Sequence, residues 1–240
     1  MPHTASPASL IETFPALSSV EGLDHGFVLR DPDTNVANPD RDLVLRKLEP
    51  HYRRTLAACG IDFDQLALAE QVHGDGVAVV EESSRPGKPP VAGVDGLITG
   101  GPGIALGIYV ADCCPVWLVD PRTRATGLVH SGRKGSELGI AGRTVEKMNA
   151  TFGSEPADLI VLLGPCIRPP NYEIDIAPMI VASCCDAGVP NQQIHEAGSD
   201  TATDLERYYS YRLEKGHTGR MLAFVRWRNN AGENGTADRS

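Results

Sequence analysis

Apolar residues at period two run through Ile104, Leu106, Ile108 and Val110, break at Asp112-Cys113-Cys114-Pro115, and resume over Val116 to Val119. That pattern predicts two strands with Cys113 in the bend between them. Asp120-Pro121-Arg122-Thr123 then reads as a turn and Thr126 to His130 as a third strand. Leu138, Ala141, Val145, Met148 and Phe152, three and four apart, predict a helix that Gly153 ends.

The same reading extends along the chain. Leu45, Leu48, Tyr52 and Leu56 lie at helical spacing between Asp40 and Gly60, with Pro50 expected to kink or restart the helix, giving one broken helix or two short ones. Ala67 to Glu82 is rich in valine and predicts a strand interrupted at His73-Gly74-Asp75-Gly76. Asp158 to Leu163 reads as a buried strand, Gly164-Pro165-Cys166 as a loop, Ile176 to Cys185 as a helix and Arg220 to Trp227 as a last strand. Strands and helices interspersed with at least one hairpin predict an α/β fold with a mixed sheet.

Composition narrows the class. A chain of 240 residues can bury a core without disulfides, and one domain spanning 1–240 is the expectation. Its ends, about 1–8 and about 229–240, are expected to be mobile, and Glu82 to Pro90, with its Ser, Pro and Gly, reads as a surface loop. The formal net charge of -9, with no basic run in the sequence, argues against a nucleic-acid partner. No apolar run approaches the roughly 18 residues of a membrane span, and Met1 to Ala5 carries no basic segment leading into an apolar one. A soluble, cytoplasmic protein with no membrane partner is the expectation. Six cysteines, including the vicinal pairs Cys113-Cys114 and Cys184-Cys185, fit reduced thiols better than a disulfide framework.

Candidate chemistry concentrates at three breaks in the strand pattern. Gln71-Val72-His73-Gly74, Ala111-Asp112-Cys113-Cys114-Pro115 and Val129-His130-Ser131-Gly132 each put one soft ligand at a strand end or turn. If they meet, His73, Cys113 and His130 form a site with an open fourth position, which is the ligand count of a catalytic zinc rather than a structural one. Packing accounts for any one of them singly, and Cys114 reads as a small buried hydrophobe. His130 leads through Ser131-Gly132-Arg133-Lys134-Gly135 into a helix, a loop that could hold an anion, although it lacks the spacing of a P-loop. Gly164 to Ile167 offers close backbone approach, with Tyr172 and Glu173 in reach of the same loop.

These segments, with DGLIT at 95–99, GPCIRPPNYEI at 164–174 and YYSYRLEKGHTGR at 208–220, resemble in order the YfiH-like laccase-domain proteins, also called the polyphenol oxidase or peptidoglycan editing factor family. The resemblance implies an α/β sandwich of layered mixed sheets with flanking helices, and a zinc held by His73, Cys113 and His130. It also implies purine nucleoside phosphorolysis and adenosine deamination, with polyphenol oxidation and the editing of cell-wall precursors as related activities. Two departures concern the substrate. The usual HAGWRG is HSGRKG here, putting Arg133 in place of a tryptophan and Lys134 in place of an arginine, and the R-x-GG-x-S element keeps Arg30 but loses its glycines.

The leading expectation is a zinc enzyme acting on purine nucleosides and phosphate, with His73, Cys113 and His130 catalytic, and Lys134, Arg30 and Tyr172 binding substrate. Asp112 and Glu173 are candidates for protonating the departing base. Two alternatives are a metal-free cysteine hydrolase using Cys113 and His130, and a diverged member that binds a nucleoside or metal without turnover. Copper oxidation is disfavoured, because four methionines and one small His/Cys set cannot furnish a multicopper cluster. The oligomeric state is open at this stage.

Overall fold

The structure, a computed structural model, describes residues 7–81 and 89–229. The expected mobile ends and the 82–90 loop therefore fall largely outside the described residues. Among the described residues, eleven strands form two mixed sheets. The first, five-stranded, contains β1 (Ile11–Glu12), β2 (Leu23–Val28), β3 (Leu66–Leu68), β6 (Ala105–Val110) and β11 (Met221–Trp227), in the order β1-β2-β11-β6-β3. The second contains β4 (Val77–Val79), β5 (Gly96–Thr99), β7 (Cys114–Asp120), β8 (Ala125–Ser131), β9 (Ile160–Leu163) and β10 (Ile194–Glu196), in the order β10-β9-β7-β8-β5-β4.

The sheets face each other across a shared core. Trp117 of β7 crosses it, donating its indole N–H to the Phe224 carbonyl of β11 at 3.0 Å and packing on the rings of Phe14 and Phe27. Outside the first sheet lies helix α2 (Arg41–Ala57), whose Tyr52 ring meets Tyr109 of β6 at 5.4 Å. The other face of the second sheet is covered by α4 (Ile140–Phe152) and α5 (Ala177–Asp186), with Val145, Met148, Ile180 and Cys184 in a second apolar cluster against Val116, Leu118 and Val129. The helices α1 (Pro15–Ser18) and α3 (Arg133–Glu137) are short. Among the described residues no helix is long and apolar enough to cross a membrane.

Two expectations need correction. Pro50 does not break α2, which runs unbroken for 17 residues. Asp40 caps its first turn by accepting from the Leu43 N–H at 3.0 Å, and the buried face of Val44, Leu48, Tyr52 and Leu56 stabilises the helix enough to offset the missing backbone bond. The interrupted strand 67–82 is two strands, β3 and β4, in different sheets. The helix read from Leu138 to Phe152 is α4, which starts at Ile140 after Gly139 in a left-handed conformation and ends at Gly153 as expected. Periodicity does not announce β1, β2 or β10, and β5 lies within the DGLIT segment.

The topology explains why three distant breaks converge. β3 and β6 are parallel neighbours, so both end at one edge of the first sheet, and from there the chain crosses to β4 and β7 of the second. β4 is parallel to β5, while β8 is antiparallel to both β5 and β7. Thus β4, β5 and β7 begin, and β8 ends, at that same edge.

Buried histidines tie fold stability to pH. His25 of β2 accepts the Phe14 N–H at Nε2, 3.0 Å away, and burial holds its pKa down at about 4. Because the unfolded chain takes up this proton near 6.5 and the folded chain refuses it until about 4, this contribution is complete above 6.5 and is lost as the pH falls toward 4. The loss should reach about 3 kcal/mol at most. Urea unfolding at pH 7 and pH 4.5 should show a smaller acid loss for His25→Gln than for the wild type, and equal losses would remove His25 from the acid response.

Candidate active site

Asp95, immediately before β5, is fully buried, and its carboxylate gathers the site. It accepts backbone N–H groups from Val72 (3.1 Å), His73 (2.9 Å) and Gly74 (2.7 Å), and its Oδ1 lies 2.8 Å from His130 Nδ1. The backbone joins in, with the His130 N–H donating to the Asp95 carbonyl at 2.7 Å. Burial alone would raise the Asp95 pKa, but hydrogen bonds from His130, Gly74 and His73 carry it below the usual value. One carboxylate therefore fixes the loop bearing His73 and the ring of His130.

The loop is secured from its other side by Gln71, whose amide donates to the Tyr109 carbonyl (2.5 Å) and accepts the Tyr109 N–H (3.0 Å) at the end of β6. Gln71, His73 and Asp112 have φ of 66°, 59° and 79°, a region that side chains other than glycine rarely occupy. Strain of this kind clusters where function holds a backbone in place.

His73, Cys113 and His130 meet, with their ligand atoms all within 4.8 Å of one another. The two rings stand edge to face, 4.8 Å between centroids. His130 is buried, Cys113 partly so, and His73 is the exposed member. Gly132 passes so close that a Cβ there would lie 2.9 Å from Cys113 Sγ, so the position admits no side chain without moving the thiol. Burial would raise the Cys113 pKa, but His130, together with hydrogen bonds from both histidines, brings it down to about 6. Burial would likewise lower that of His130, and Cys113 with Asp95 lifts it to about 9. A thiolate beside two imidazoles is a soft donor set that suits zinc or copper, and the carboxylate on His130 Nδ1 is the outer support that metal-bound histidines ordinarily have. The three residues fit a single metal ion.

Asp112 has a different part. Its buried carboxylate accepts from Thr201 Oγ1 (2.8 Å), Ser210 Oγ (3.1 Å) and the Arg212 N–H (2.7 Å), while its carbonyl accepts the Ile167 N–H (2.9 Å). Burial raises its pKa against those bonds. It straps the 208–212 segment and the loop after β9 to the bend that carries Cys113. Cys114 is wholly buried among apolar neighbours, as expected of a small hydrophobe.

The triad opens into a cavity of about 1100 Å³. Its wall includes Lys134 and Tyr172 but not Arg30, which instead pairs with Glu214 at 3.0 Å, donates to the Tyr208 carbonyl and lies over the Tyr209 ring. Glu173 is also off the wall, ion-paired with Arg212. The helix following His130 spans five residues, too short to lend much dipole to an anion. Sequence reasoning singled out the 133–134 pair but missed Asp95, Gln71 and the rest of the basic wall: Arg41, Arg133, Lys134, Arg212, Lys215 and Arg220 line the cavity against, among the described residues, the two acids Asp112 and Glu137. The family-like segments contain Asp95, Gln71 and Arg220, which was the available signal; nothing marked Arg41.

The family model described as "Multi-copper polyphenol oxidoreductase laccase" matches residues 34–177 and 174–228. The chain belongs to this YfiH-like, laccase-domain family. Its relatives include "Purine nucleoside phosphorylase YlmD" of Geobacillus stearothermophilus, 30% identical over 238 residues that cover 85% of this chain and 82% of the relative. A "Purine nucleoside phosphorylase" of Deinococcus radiodurans is 31% identical over 234 residues, covering 88% and 90%. The crystal structure of YlmD from Geobacillus stearothermophilus superposes with a TM-score of 0.79 at 25% identity, covering 92% of this chain and 99% of that one. YfiH of Bacillus licheniformis, at 23% identity and a TM-score of 0.76 over 86% and 93%, shares the fold. The layered α/β architecture expected for a YfiH-like chain is the one found. Its family description speaks of several coppers, yet among the described residues His73, Cys113 and His130 are the one cluster suited to a metal.

Removing the Asp95 carboxylate should be costly. Asp95→Ala leaves three N–H groups and one imidazole without their acceptor, and the folding free energy should fall by about 3 kcal/mol or more. Urea denaturation measures this, and an unchanged midpoint would mean that the carboxylate does not organise the loop.

Proposed function

We propose that this protein is a metal-dependent purine nucleoside phosphorylase, with zinc as its metal and the whole chain as one catalytic unit. The observation that carries the reading is the joining of a His-Cys-His cluster to a basic, tyrosine-lined cavity in a chain whose net charge is -9. The names of its relatives agree with it.

Zinc held by His73, Cys113 and His130 would supply a Lewis acid at the cavity floor. The chain's own residues do the rest. Asp95 keeps the His130 ring turned so that Nδ1 faces the carboxylate, leaving Nε2 for the centre. The basic wall concentrates and orients phosphate, with Lys134 as one contact, for attack on the anomeric carbon as the bond from ribose to base breaks. Tyr172, backed by the Arg212 guanidinium at 5.2 Å, offers a face for the base. Asp112, occupied by three donors, acts as a positioning residue rather than the source of the base's proton. Adenosine deamination belongs to the same proposal as a second reaction, in which water attacks the purine carbon that bears the amine and ammonia leaves. A cytoplasmic setting goes with this reading, since Cys113 must remain a thiol.

One observation favours a second reading. Asp95, His130 and Cys113 also form a relay in which the carboxylate orients a histidine that activates a thiol, the arrangement of a metal-free cysteine hydrolase.

A panel of purine nucleosides, incubated with and without phosphate and resolved by chromatography, tests the proposal. The wild type should release free base only with phosphate, while Cys113→Ala should lose both its bound zinc and its turnover. Base release that ignores phosphate, or full activity without metal, would overturn it in favour of hydrolysis. A zinc-loaded protein with no turnover would leave a binding protein.

A further inference from the structure

Two arginines in the cavity lack a close counter-charge. Arg220, at the end of the 208–220 segment, is partly buried and stands within electrostatic reach of Cys113. Its Nη1 donates to the carbonyls of Thr218 (3.3 Å) and Gly219 (2.8 Å), and its plane lies over the Tyr211 ring at 5.6 Å. Among the described residues no carboxylate lies within ion-pairing distance of it, and its Nε and Nη2 meet no protein acceptor. Arg41 faces the same cavity, and its carboxylate contact, Asp42, is at 4.0 Å.

Their surroundings make this pairing costly. Burial of Arg220 and the charge of nearby Arg41 both press the Arg220 pKa downward. Arg41 occupies the first turn of α2, after the Asp40 cap, where the helix dipole disfavours a cation. Of the other cavity cations, Arg133 is paired with Glu137 and Arg212 with Glu173, while Lys134 and Lys215 are point charges without a guanidinium fork. A partly buried Arg220 kept near a second cation, the more exposed Arg41, is unfavourable unless an anion is bound there. Arginine is suited to it, because its planar fork matches two oxygens of a phosphate group.

We propose that Arg41 and Arg220 form the phosphate-binding subsite of the cavity, adjoining the His73-Cys113-His130 cluster, a role for which the sequence pointed to Lys134 and Arg30. The proposal deepens the phosphorylase reading and rests on it for the use of the bound group. Free orthophosphate and the monoester of a nucleotide both supply such a group, since they present the same oxygens.

Calorimetric titration of the full-length, metal-loaded protein with inorganic phosphate, with a purine nucleoside and with its 5′-monophosphate tests the subsite. Orthophosphate affinity should fall at least about tenfold in Arg41→Gln and in Arg220→Gln. Arg220 also holds two carbonyls, so Arg41→Gln guards against a folding artefact: without phosphate its Tm should equal or exceed that of the wild type, and phosphate should raise it less. If only the monophosphate loses affinity, the subsite stands with the nucleotide ester as its ligand. Unchanged affinity for both phosphate ligands in both variants would overturn it. Phosphorolysis assayed alongside separates the two claims. Turnover by a wild type whose phosphate binding ignores the arginines sinks the subsite alone, and arginine-dependent phosphate binding without turnover sinks the phosphorylase reading alone.

Discussion

The buried carboxylate of Asp95 is the constraint on which the site depends. An unpaired carboxylate in that position would cost several kcal/mol, and here four donors converge on it, three of them from consecutive backbone positions. A loop that offers three successive N–H groups to one acceptor has little freedom left, so His73 is placed by its own main chain rather than by packing of its ring. The same oxygen that receives the His73 N–H also receives His130 Nδ1. Both histidines thereby refer to a single atom, and their relative position survives small movements of either sheet.

Placement by backbone also explains the left-handed residues. Gln71, His73 and Asp112 carry positive φ at a cost of roughly 1–3 kcal/mol each, and each is held by side-chain or main-chain hydrogen bonds of its own. Gln71 grips Tyr109, His73 donates to Asp95, and Asp112 receives three donors. These positions lie where the chain leaves β3 and β6 of one sheet for the other. A crossing between sheets must turn sharply within a few residues, and a sharp turn exposes the side chain at its apex. The strain and the presentation of ligands thus come from one geometric requirement.

Much of this was legible in the chain. The period-two run 104–110, its break at Cys113 and its resumption after Cys114 are two strands and a bend, and the buried helix face of Val145 and Met148 is where the pattern placed it. The breaks pointed to His73, Cys113 and His130, which the fold brings within 4.8 Å of one another, because soft ligand types beside Gly and Pro turns are uncommon. What periodicity could not convey was which sheet each strand joins, so the interruption at His73 looked like a turn within one strand. Pro50 misled for a related reason: its local cost is fixed, but the packing of Tyr52 and Leu56 that outweighs it is tertiary. Asp95 looked like any other acid before an apolar run, since its donors come from 21 to 35 positions away. The rest of the basic wall was hidden likewise, since Arg41, Arg212, Lys215 and Arg220 lie far along the chain from the 133–134 pair.

The departure of HSGRKG from the family's HAGWRG bears on what remains of the binding surface. Arg133, standing for tryptophan, is half exposed and directs its charge to Glu137 one turn along α3, so the exchange removes an aromatic face and adds a largely neutralised pair. Lys134, standing for arginine, brings a point charge with no planar fork. On the proposed function, both changes weaken this loop as a partner for a purine and for a phosphate, and the burden shifts to the 172 and 211–220 segments. There Tyr172 and Tyr211 each lie against a guanidinium, that of Arg212 and that of Arg220. A ring backed by a cation on one face keeps its other face for a ligand and cannot readily tilt away. The aromatic ring and the guanidinium fork that the 130–135 loop no longer offers thus have counterparts on the 172 and 211–220 segments, which Asp112 fastens to the bend carrying Cys113.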